Sequence, residues 1–248
     1  MEILSSADEN PVGILRPDSR KKFFLTCDHA SSSIPPALCD LGLSKNELQR
    51  HIGWDIGALG VPQEISKRLD ATLVWQNYSR LVVDCNRVLK HPGLIPQQVE
   101  ATSILGNINI TEEERRQRIS EFYNPYHLKI KRLLDTRTEE GLETIFISIH
   151  SFTPVYLGHQ RPWDLGVLYS DDVVYSHSVL DRLSRETNLR IGDNEPYQID
   201  EKDCTIPLHA LKRGLRNTLF EIKQDLITST AHQISWGKKL SQILVETA

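Results

Sequence analysis

Polar side chains that could carry out metal-assisted hydrolysis stand at or near the ends of several apolar runs. Asp28 and His29 follow one run, His150 ends a second, and Glu221 lies within a third. Imidazole and carboxylate ligands suit Zn²⁺, which keeps an open position for water in catalytic sites. Such a metal polarises a carbonyl and acidifies its water, and a further carboxylate can act as general base. These residue types indicate hydrolysis at a divalent metal.

Arg80, Asn86 and Arg87 add groups that bind anions, close to another apolar run. A fixed guanidinium can stabilise a developing oxyanion or hold a carboxylate through two parallel hydrogen bonds. The sequence has no H-E-x-x-H motif, and Ser32 stands where an H-x-x-E pair starting at His29 would place its glutamate. Spacing alone therefore does not identify the metal.

Strands alternate with helices along the chain, and these elements must position the polar residues. The apolar runs predict strands over 22–27, 71–76, 81–85, 144–149, 165–169 and 217–222, and helices from Ser44, over 55–69, from Thr111, over 173–187 and from Ser229. This alternation predicts a three-layer α/β/α sandwich around a mixed, mostly parallel sheet. Ligands of such folds bind beyond the carboxyl ends of the strands, where the polar residues would converge.

The chain shows no internal repeat and no linker-like change in composition, so we expect a single domain over 1–248 with an extended lead-in over 1–20. Pro125 should bend or split the helix that begins near Thr111. The loops over 91–110 and 153–163 are long for a compact domain and are the candidate specificity elements.

Charge and composition exclude several classes of partner. The 248 residues carry 29 Lys and Arg against 33 Asp and Glu, and this slight acidic excess provides no field for nucleic acid or an anionic membrane. The longest uncharged run, 144–160, is too polar to span a bilayer, and the N-terminus lacks the apolar region of a signal peptide. Four cysteines without C-x-x-C spacing suit a reducing compartment. We expect a cytoplasmic protein that acts on a small molecule.

Six motifs, in order along the chain, resemble the N-formylglutamate amidohydrolases. They are CDHASSSIP (27–35), HIGWDIGA (51–58), YSRLVVDCNR (78–87), YNPYH (123–127), SIHSF (148–152) and LFEIKQDLI (219–227). The resemblance extends from about Phe23 to Ile227. It implies a fold similar to that of zinc-dependent exopeptidases and aspartoacylase, and hydrolysis of an N-acyl amide on an amino acid.

The resemblance also implies a metal site with one Zn²⁺, or another divalent metal, per chain. His29 and His150 correspond to metal ligands at two strand ends. Aspartoacylase-like enzymes take their third ligand from the glutamate of the H-x-x-E pair, which this chain lacks. Asp55, which follows the H-x-G-W run, is therefore the favoured third ligand, with His51 and Asp28 as the alternatives.

Other roles carry over to residues around that site. Glu221 resembles the general base, Arg80 a clamp on the carbonyl or oxyanion, and Asn86 with Arg87 the pair that holds a substrate carboxylate. Lys223 stands where the family motif would have an arginine, which bears on substrate contacts near Glu221.

His127 and His209 complete the set of candidate substrate-binding residues. His127 lies in the YNPYH motif, and His209 shortly precedes the strand that carries Glu221. Asp84 is expected to orient either a ligating histidine or Arg87 from outside the metal's own shell of ligands.

We therefore expect a metal-dependent amidohydrolase that cleaves the N-formyl or N-acyl amide of an acidic amino acid such as N-formylglutamate. Two alternatives remain open from the sequence. One is a binding module without catalysis that retains a pocket for a carboxylated metabolite. The other is a peptidase similar to zinc carboxypeptidases.

Overall fold

The apolar runs form one seven-stranded sheet in the computed structural model, which describes residues 2–171 and 173–248. Two short hairpins lie outside this sheet. The strands are β1 (Val12–Leu15), β2 (Phe23–Cys27), β3 (Thr72–Gln76), β4 (Gln98–Val99), β5 (Thr102–Ser103), β6 (Ile145–Phe152), β7 (Val155–Tyr156), β8 (His159–Gln160), β9 (Leu165–Leu168), β10 (Ile191–Asp193) and β11 (Arg216–Lys223).

The sheet has the strand order β1-β3-β2-β6-β11-β9-β10. Its centre is parallel, because β3, β2, β6 and β11 all run in one direction. β1 is antiparallel to β3, and β9 is antiparallel to β11, whereas β10 is parallel to β9. The sheet is thus mixed and mostly parallel, as the alternation of elements predicts.

Helices cover both faces of the sheet. They are α1 (Lys45–Leu48), α2 (Gly60–Leu69), α3 (Glu112–Arg118), α4 (Asn124–Glu139), α5 (Val173–Leu183), α6 (Thr205–His209) and α7 (Thr230–Thr247). One core packs α4 and α6 against Phe24, Phe146 and Leu219, while the other packs α2, α5 and α7 against Leu25 and Phe220. Because successive strand side chains point to opposite faces, each central strand supplies both cores. The three-layer α/β/α prediction is confirmed.

Capping boxes and a proline mark helix boundaries that agree with the prediction from the sequence. Both capping boxes form, with Ser44 and Glu47 at the start of α1 and Thr111 and Glu114 at the start of α3. A π-helical segment, Ile119–Tyr123, separates α3 from α4, and Pro125 lies in the first turn of α4. Proline lacks the N–H that an α-helix interior requires, which explains why the regular helix is interrupted here.

Two expectations about elements are wrong. Residues 81–85 form turns rather than a strand, although their apolar side chains are buried. The helix predicted over 55–69 begins only at Gly60, because Gly57 has φ of +76°, which lies outside the right-handed helical region. The lead-in also contributes β1, an edge strand of the main sheet.

No helix among the described residues is long and apolar enough to cross a membrane.

Candidate active site

Neighbouring central strands bring the predicted polar residues to one end of the sheet. His29 lies two residues beyond the end of β2, His150 lies in β6 and Glu221 in β11. His150 and Glu221 are register partners on adjacent parallel strands, so their side chains emerge side by side on one face. A cavity of about 670 Å³ opens over them. Residues from the segments 91–100, 151–156 and 197–203 line its walls.

His29, Asp55 and His150 form a buried cluster in which one ligand atom of each lies within 4.8 Å of the others. The Asp55 Oδ2 atom is 2.8 Å from His150 Nδ1 and 3.4 Å from His29 Nδ1. His29 Nδ1 is buried and has no hydrogen-bond partner among the described residues. Two imidazole nitrogens and a carboxylate thus converge on one point, a donor set that suits a divalent metal.

Backbone contacts fix Asp55 between the two histidines. Its amide bonds the His29 carbonyl, and its Oδ2 accepts from the Ser151 amide at 3.3 Å. Gly57 follows with φ of +76°, and a Cβ there would stand 2.2 Å from the Ile227 carbonyl oxygen. The turn after Asp55 therefore requires glycine, which adopts positive φ without steric cost.

The other two candidates for third ligand are engaged elsewhere. His51 lies on the cavity wall, where its Nε2 is 3.1 Å from Glu100 Oε1. Asp28 contacts the far nitrogen of His150 rather than the point where the cluster converges, with Oδ2 at 3.1 Å from Nε2. Among the described residues, the group that could hold a metal contains Asp55 and neither of these.

Two further carboxylates orient the two histidines of this cluster. Asp84 Oδ1 lies 2.8 Å from His29 Nε2, and Asp28 holds His150 Nε2. Tyr126 and Thr205 hydroxyls donate to Asp28 Oδ1 at 2.5 and 2.8 Å, which fixes this carboxylate in turn. With both Nε2 atoms occupied, both Nδ1 atoms face Asp55. Carboxylates that hold the second nitrogen of a metal-binding histidine are typical of such sites.

The charges around the cluster favour a cation. Asp28, Asp55, Asp84 and Glu221 are buried, and the half-buried guanidinium of Arg80 contacts Asp84 and Asp55. Burial lowers the pKa of His150, yet the hydrogen bonds and charges of Asp28 and Asp55 raise it well above its ordinary value. The same competition, with Asp84 and Asp55 as partners, raises the pKa of His29. This excess of negative charge is what a divalent metal would neutralise.

Glu221 is the carboxylate that no group in the described part of the chain neutralises directly. Its Oε2 is buried without a hydrogen-bond partner. Burial, together with the charge of Asp55, raises the pKa of Glu221 to about 7. A carboxylate of this kind exchanges protons readily near neutral pH, as a general base must.

Arg80 reaches the cluster from the segment that follows β3. Its Nε and Nη2 donate to Asp84 Oδ2 at 3.1 and 2.6 Å, and its Nη1 lies 3.8 Å from Asp55 Oδ1. Burial disfavours the charged guanidinium, but the carboxylates of Asp84 and Asp55 outweigh it and raise the pKa of Arg80. Arg80 is thus a fixed cation on the cavity wall.

Asn86 and Arg87 also lie on the cavity wall, but they serve different purposes. The Asn86 Oδ1 atom accepts from the amides of Cys204 and Thr205 at 3.1 and 3.0 Å, and its Nδ2 donates to Asp203. Asn86 therefore holds the 203–205 segment in place. Arg87 Nη1 donates to the same Asp203 carboxylate at 2.6 Å and presents its guanidinium to the cavity.

The structure does not bring His127 or His209 to the cavity, which other described residues line. The two imidazoles bond each other, with His127 Nδ1 at 2.9 Å from His209 Nε2, and His127 Nε2 is 2.9 Å from the Cys85 carbonyl oxygen. Both are buried. The geometry gives no support to a substrate contact and assigns the pair to packing between α4 and α6.

Sequence reasoning missed the 195–203 segment, which supplies Tyr197, Lys202 and Asp203 to the cavity wall. Its Pro, Asp and Glu residues signal a loop, but nothing in their spacing indicates where that loop packs. Of the predicted specificity loops, residues 91–100 and Thr153 with Tyr156 do line the cavity.

Comparison with known proteins agrees with this architecture. A family profile described as N-formylglutamate amidohydrolase matches residues 21–228. A gene product of Agrobacterium tumefaciens with a known crystal structure is 34% identical and superposes with a TM-score of 0.96, over 99% of this chain and 98% of that one. An N-formylglutamate amidohydrolase from Ralstonia eutropha is 20% identical, with a TM-score of 0.69 over 96% of this chain and 97% of that one. A comparison with curated proteins gave no match.

Proposed function

Because the chain belongs to the N-formylglutamate amidohydrolase family and is an amide-acting hydrolase, we propose that it cleaves the N-formyl, or another N-acyl, amide of an acidic amino acid. N-formylglutamate is the prototype substrate, and one Zn²⁺ per chain is the proposed cofactor. The observation that carries this proposal is the His29–Asp55–His150 cluster in the same cavity as Glu221.

His29 Nδ1, Asp55 Oδ2 and His150 Nδ1 would hold the metal, because these atoms converge while the remaining imidazole nitrogens are bonded to Asp84 and Asp28. A divalent metal bound there would polarise the acyl carbonyl as a Lewis acid. It would also lower the pKa of a water molecule, so that this water loses a proton more easily as it attacks the carbonyl carbon.

Glu221 is the proposed general base. Its carboxylate takes a proton from the attacking water and delivers it to the leaving nitrogen as the acyl C–N bond breaks, which yields the free amino acid and formate or another carboxylate. The Glu221 pKa of about 7 supports both proton transfers. Near neutral pH the carboxylate can accept a proton from water, and the protonated form can release it to the leaving nitrogen.

Arg80 is the proposed oxyanion donor. Nε and Nη2 are committed to Asp84, so Nη1 remains to donate to the carbonyl oxygen as negative charge develops there. Arg87 is proposed to bind a substrate carboxylate. That carboxylate would either share the Arg87 guanidinium with Asp203 or displace the Asp203 side chain from it.

We assign the activity to the cytoplasm. All four cysteines are free thiols, which a reducing compartment maintains.

Metal analysis and one substitution test the mechanism. Protein purified without chelator should contain about one equivalent of zinc, and Glu221→Gln should keep that metal while kcat falls by roughly 10²–10⁴-fold. Glu143→Gln, at an exposed glutamate, is the matched control. Metal content below a few tenths of an equivalent, with no activity restored by added metal, would contradict the proposal.

A substrate panel tests the acyl group. We expect hydrolysis of N-formyl amino acids to exceed that of N-acetyl amino acids and peptides. Preference for peptides would instead favour the peptidase alternative, and binding without turnover would favour the binding module.

A further inference from the structure

Arg161 is held between two tyrosines at the edge of the cavity. Its guanidinium carbon lies 4.7 Å from the ring centroid of Tyr156 and 4.6 Å from that of Tyr197, and 6.0 Å from that of Phe152. Its Nη1 donates to the Tyr197 hydroxyl at 2.7 Å. All three rings line the cavity. Stacking on aromatic faces fixes the plane of the guanidinium while it stays charged.

Arg161 differs from the other arginines of this region in its partners. Arg80 donates to Asp84, and Arg87 donates to Asp203. Within 2–171 and 173–248, by contrast, the partners of the Arg161 guanidinium are aromatic rings and a phenol, and no carboxylate forms an ion pair with it. No carboxylate among these residues therefore neutralises the Arg161 guanidinium directly.

Tyr197 and Glu221 line the same cavity. Glu195, two residues before Tyr197, packs closely over Gly166. A Cβ at Gly166 would lie 2.1 Å from the Glu195 carbonyl oxygen and 3.3 Å from Glu221 Cβ. The segment that carries Tyr197 is therefore packed against the strand pair that positions Glu221.

The Tyr197 hydroxyl is suited to donate to an anion. Since it accepts from Arg161, its own hydrogen is available for a second partner. Burial and the charge of Glu221 raise the pKa of Tyr197 to about 12, so the phenol keeps this hydrogen at neutral pH.

We propose that Tyr197 and Arg161 select the acidic side chain of the substrate, with the Tyr197 hydroxyl donating to the side-chain carboxylate and Arg161 acting through Tyr197 as a positioning residue. This inference rests on the proposed function and deepens it. Arg87 then remains for the main-chain carboxylate of the amino acid. A substrate with a neutral side chain of the same shape would not offset the Arg161 charge. Tyr197 and Arg161 therefore discriminate against such a substrate.

The test compares N-formylglutamate with N-formylglutamine, which differ only in the charge and hydrogen bonding of the side-chain terminus. In wild type, we expect a higher kcat/KM for N-formylglutamate. Tyr197→Phe and Arg161→Met should each lower that value by about tenfold or more, chiefly through KM, because a hydrogen bond to a charged group is lost. Hydrolysis of N-formylglutamine should change by less than about threefold.

Matched controls separate this role from general damage. Tyr169→Phe removes a phenol oxygen that contacts Asp193 and His177 outside the cavity, and Arg190→Gln removes an exposed arginine. Both should preserve the preference for glutamate. Arg161→Lys keeps the charge without the planar fork and should retain part of the preference.

Two results would overturn the inference in distinguishable ways. Suppose that wild type hydrolyses N-formyl amino acids, but that the Tyr197 and Arg161 variants lower kcat/KM equally for both substrates or for neither. The selection role then fails and the proposed function stands. If wild type hydrolyses neither compound, the proposed function fails and the inference fails with it.

Discussion

The protein buries two pairs of histidines, and their surroundings set them apart. The rings of His29 and His150 lie 5.0 Å apart, and those of His127 and His209 lie 5.1 Å apart. Carboxylates surround the first pair, and they raise both pKa values despite burial. Burial dominates at the second pair and lowers the pKa of His127 to about 4 and that of His209 to about 3.

The hydrogen bonds of the second pair explain why it stays neutral. A carbonyl oxygen can only accept, so His127 Nε2 donates to Cys85 and its Nδ1 accepts from His209 Nε2. His209 Nδ1 is then left as a buried acceptor without a partner among the described residues. Imidazoles alone therefore do not mark a metal site; the carboxylates beside them do.

The largest expected effect of a substitution falls on the carboxylate that bridges the first pair. Asp55→Asn removes a charged carboxylate that both Nδ1 atoms face and that we propose as a metal ligand, so kcat/KM should fall by more than the ~100-fold typical of supporting residues. Metal content should fall with it. The measurements are steady-state kinetics and metal analysis of protein purified without chelator. Asp135→Asn, at a carboxylate that pairs with Lys131 and Arg213, is the control.

The outer carboxylates should have an intermediate effect. Asp28→Asn and Asp84→Asn leave the converging atoms in place but weaken the bonds that orient the two imidazoles. We expect metal affinity or activity to fall by about 10–100-fold, as measured by competition with a chromophoric chelator. Unchanged affinity in both variants would show that the histidines need no outer support.

The second pair should matter for stability and not for metal. His209→Leu leaves His127 Nδ1 as a buried acceptor without its donor, at a cost of about 1–3 kcal/mol in the free energy of unfolding. Urea denaturation measures this loss, and metal content should remain that of wild type. Loss of metal in this variant would break the distinction between the two pairs.

The pH dependence of stability sharpens the same distinction. The folded-state pKa values of His127 and His209 lie below the ordinary 6.5, so the unfolded chain binds protons first as pH falls. Their stabilising contribution is complete above pH 6.5 and is lost as pH falls toward 4 and then 3. His209→Leu should reduce this acid sensitivity by up to about 1.4 kcal/mol per pH unit, measured by urea denaturation at several pH values. An unchanged slope would contradict the assignment.

The sequence predicts the central strands well because burial on both faces leaves continuous apolar runs. β2 and β6 are such runs, and both faces of each are covered by helices. Residues 81–85 are equally apolar but form turns, because the Asp84 amide bonds the Leu94 carbonyl at 2.7 Å and Ser79 caps the segment. Apolarity reports burial, and only tertiary hydrogen bonds decide between a strand and a buried turn.

Residues at strand ends were predictable, whereas those that depend on loop packing were not. His29, His150 and Glu221 meet because neighbouring strands end together. His127 and His209 have the same residue type and the same burial, and the sequence gives no sign that carboxylates avoid them. Asn86 follows the predicted motif, but its amide is used to hold residues 203–205, a contact made across more than a hundred positions of chain.

The pairing of Glu221 with His150 on adjacent strands has a consequence for how the protein could diversify. The spacing between these two residues is set by the hydrogen-bonded pairing of the strands, which an exchange of surface loops leaves unchanged. New substrates can therefore be accommodated by rebuilding the cavity walls, while Glu221 and His150 keep their spacing.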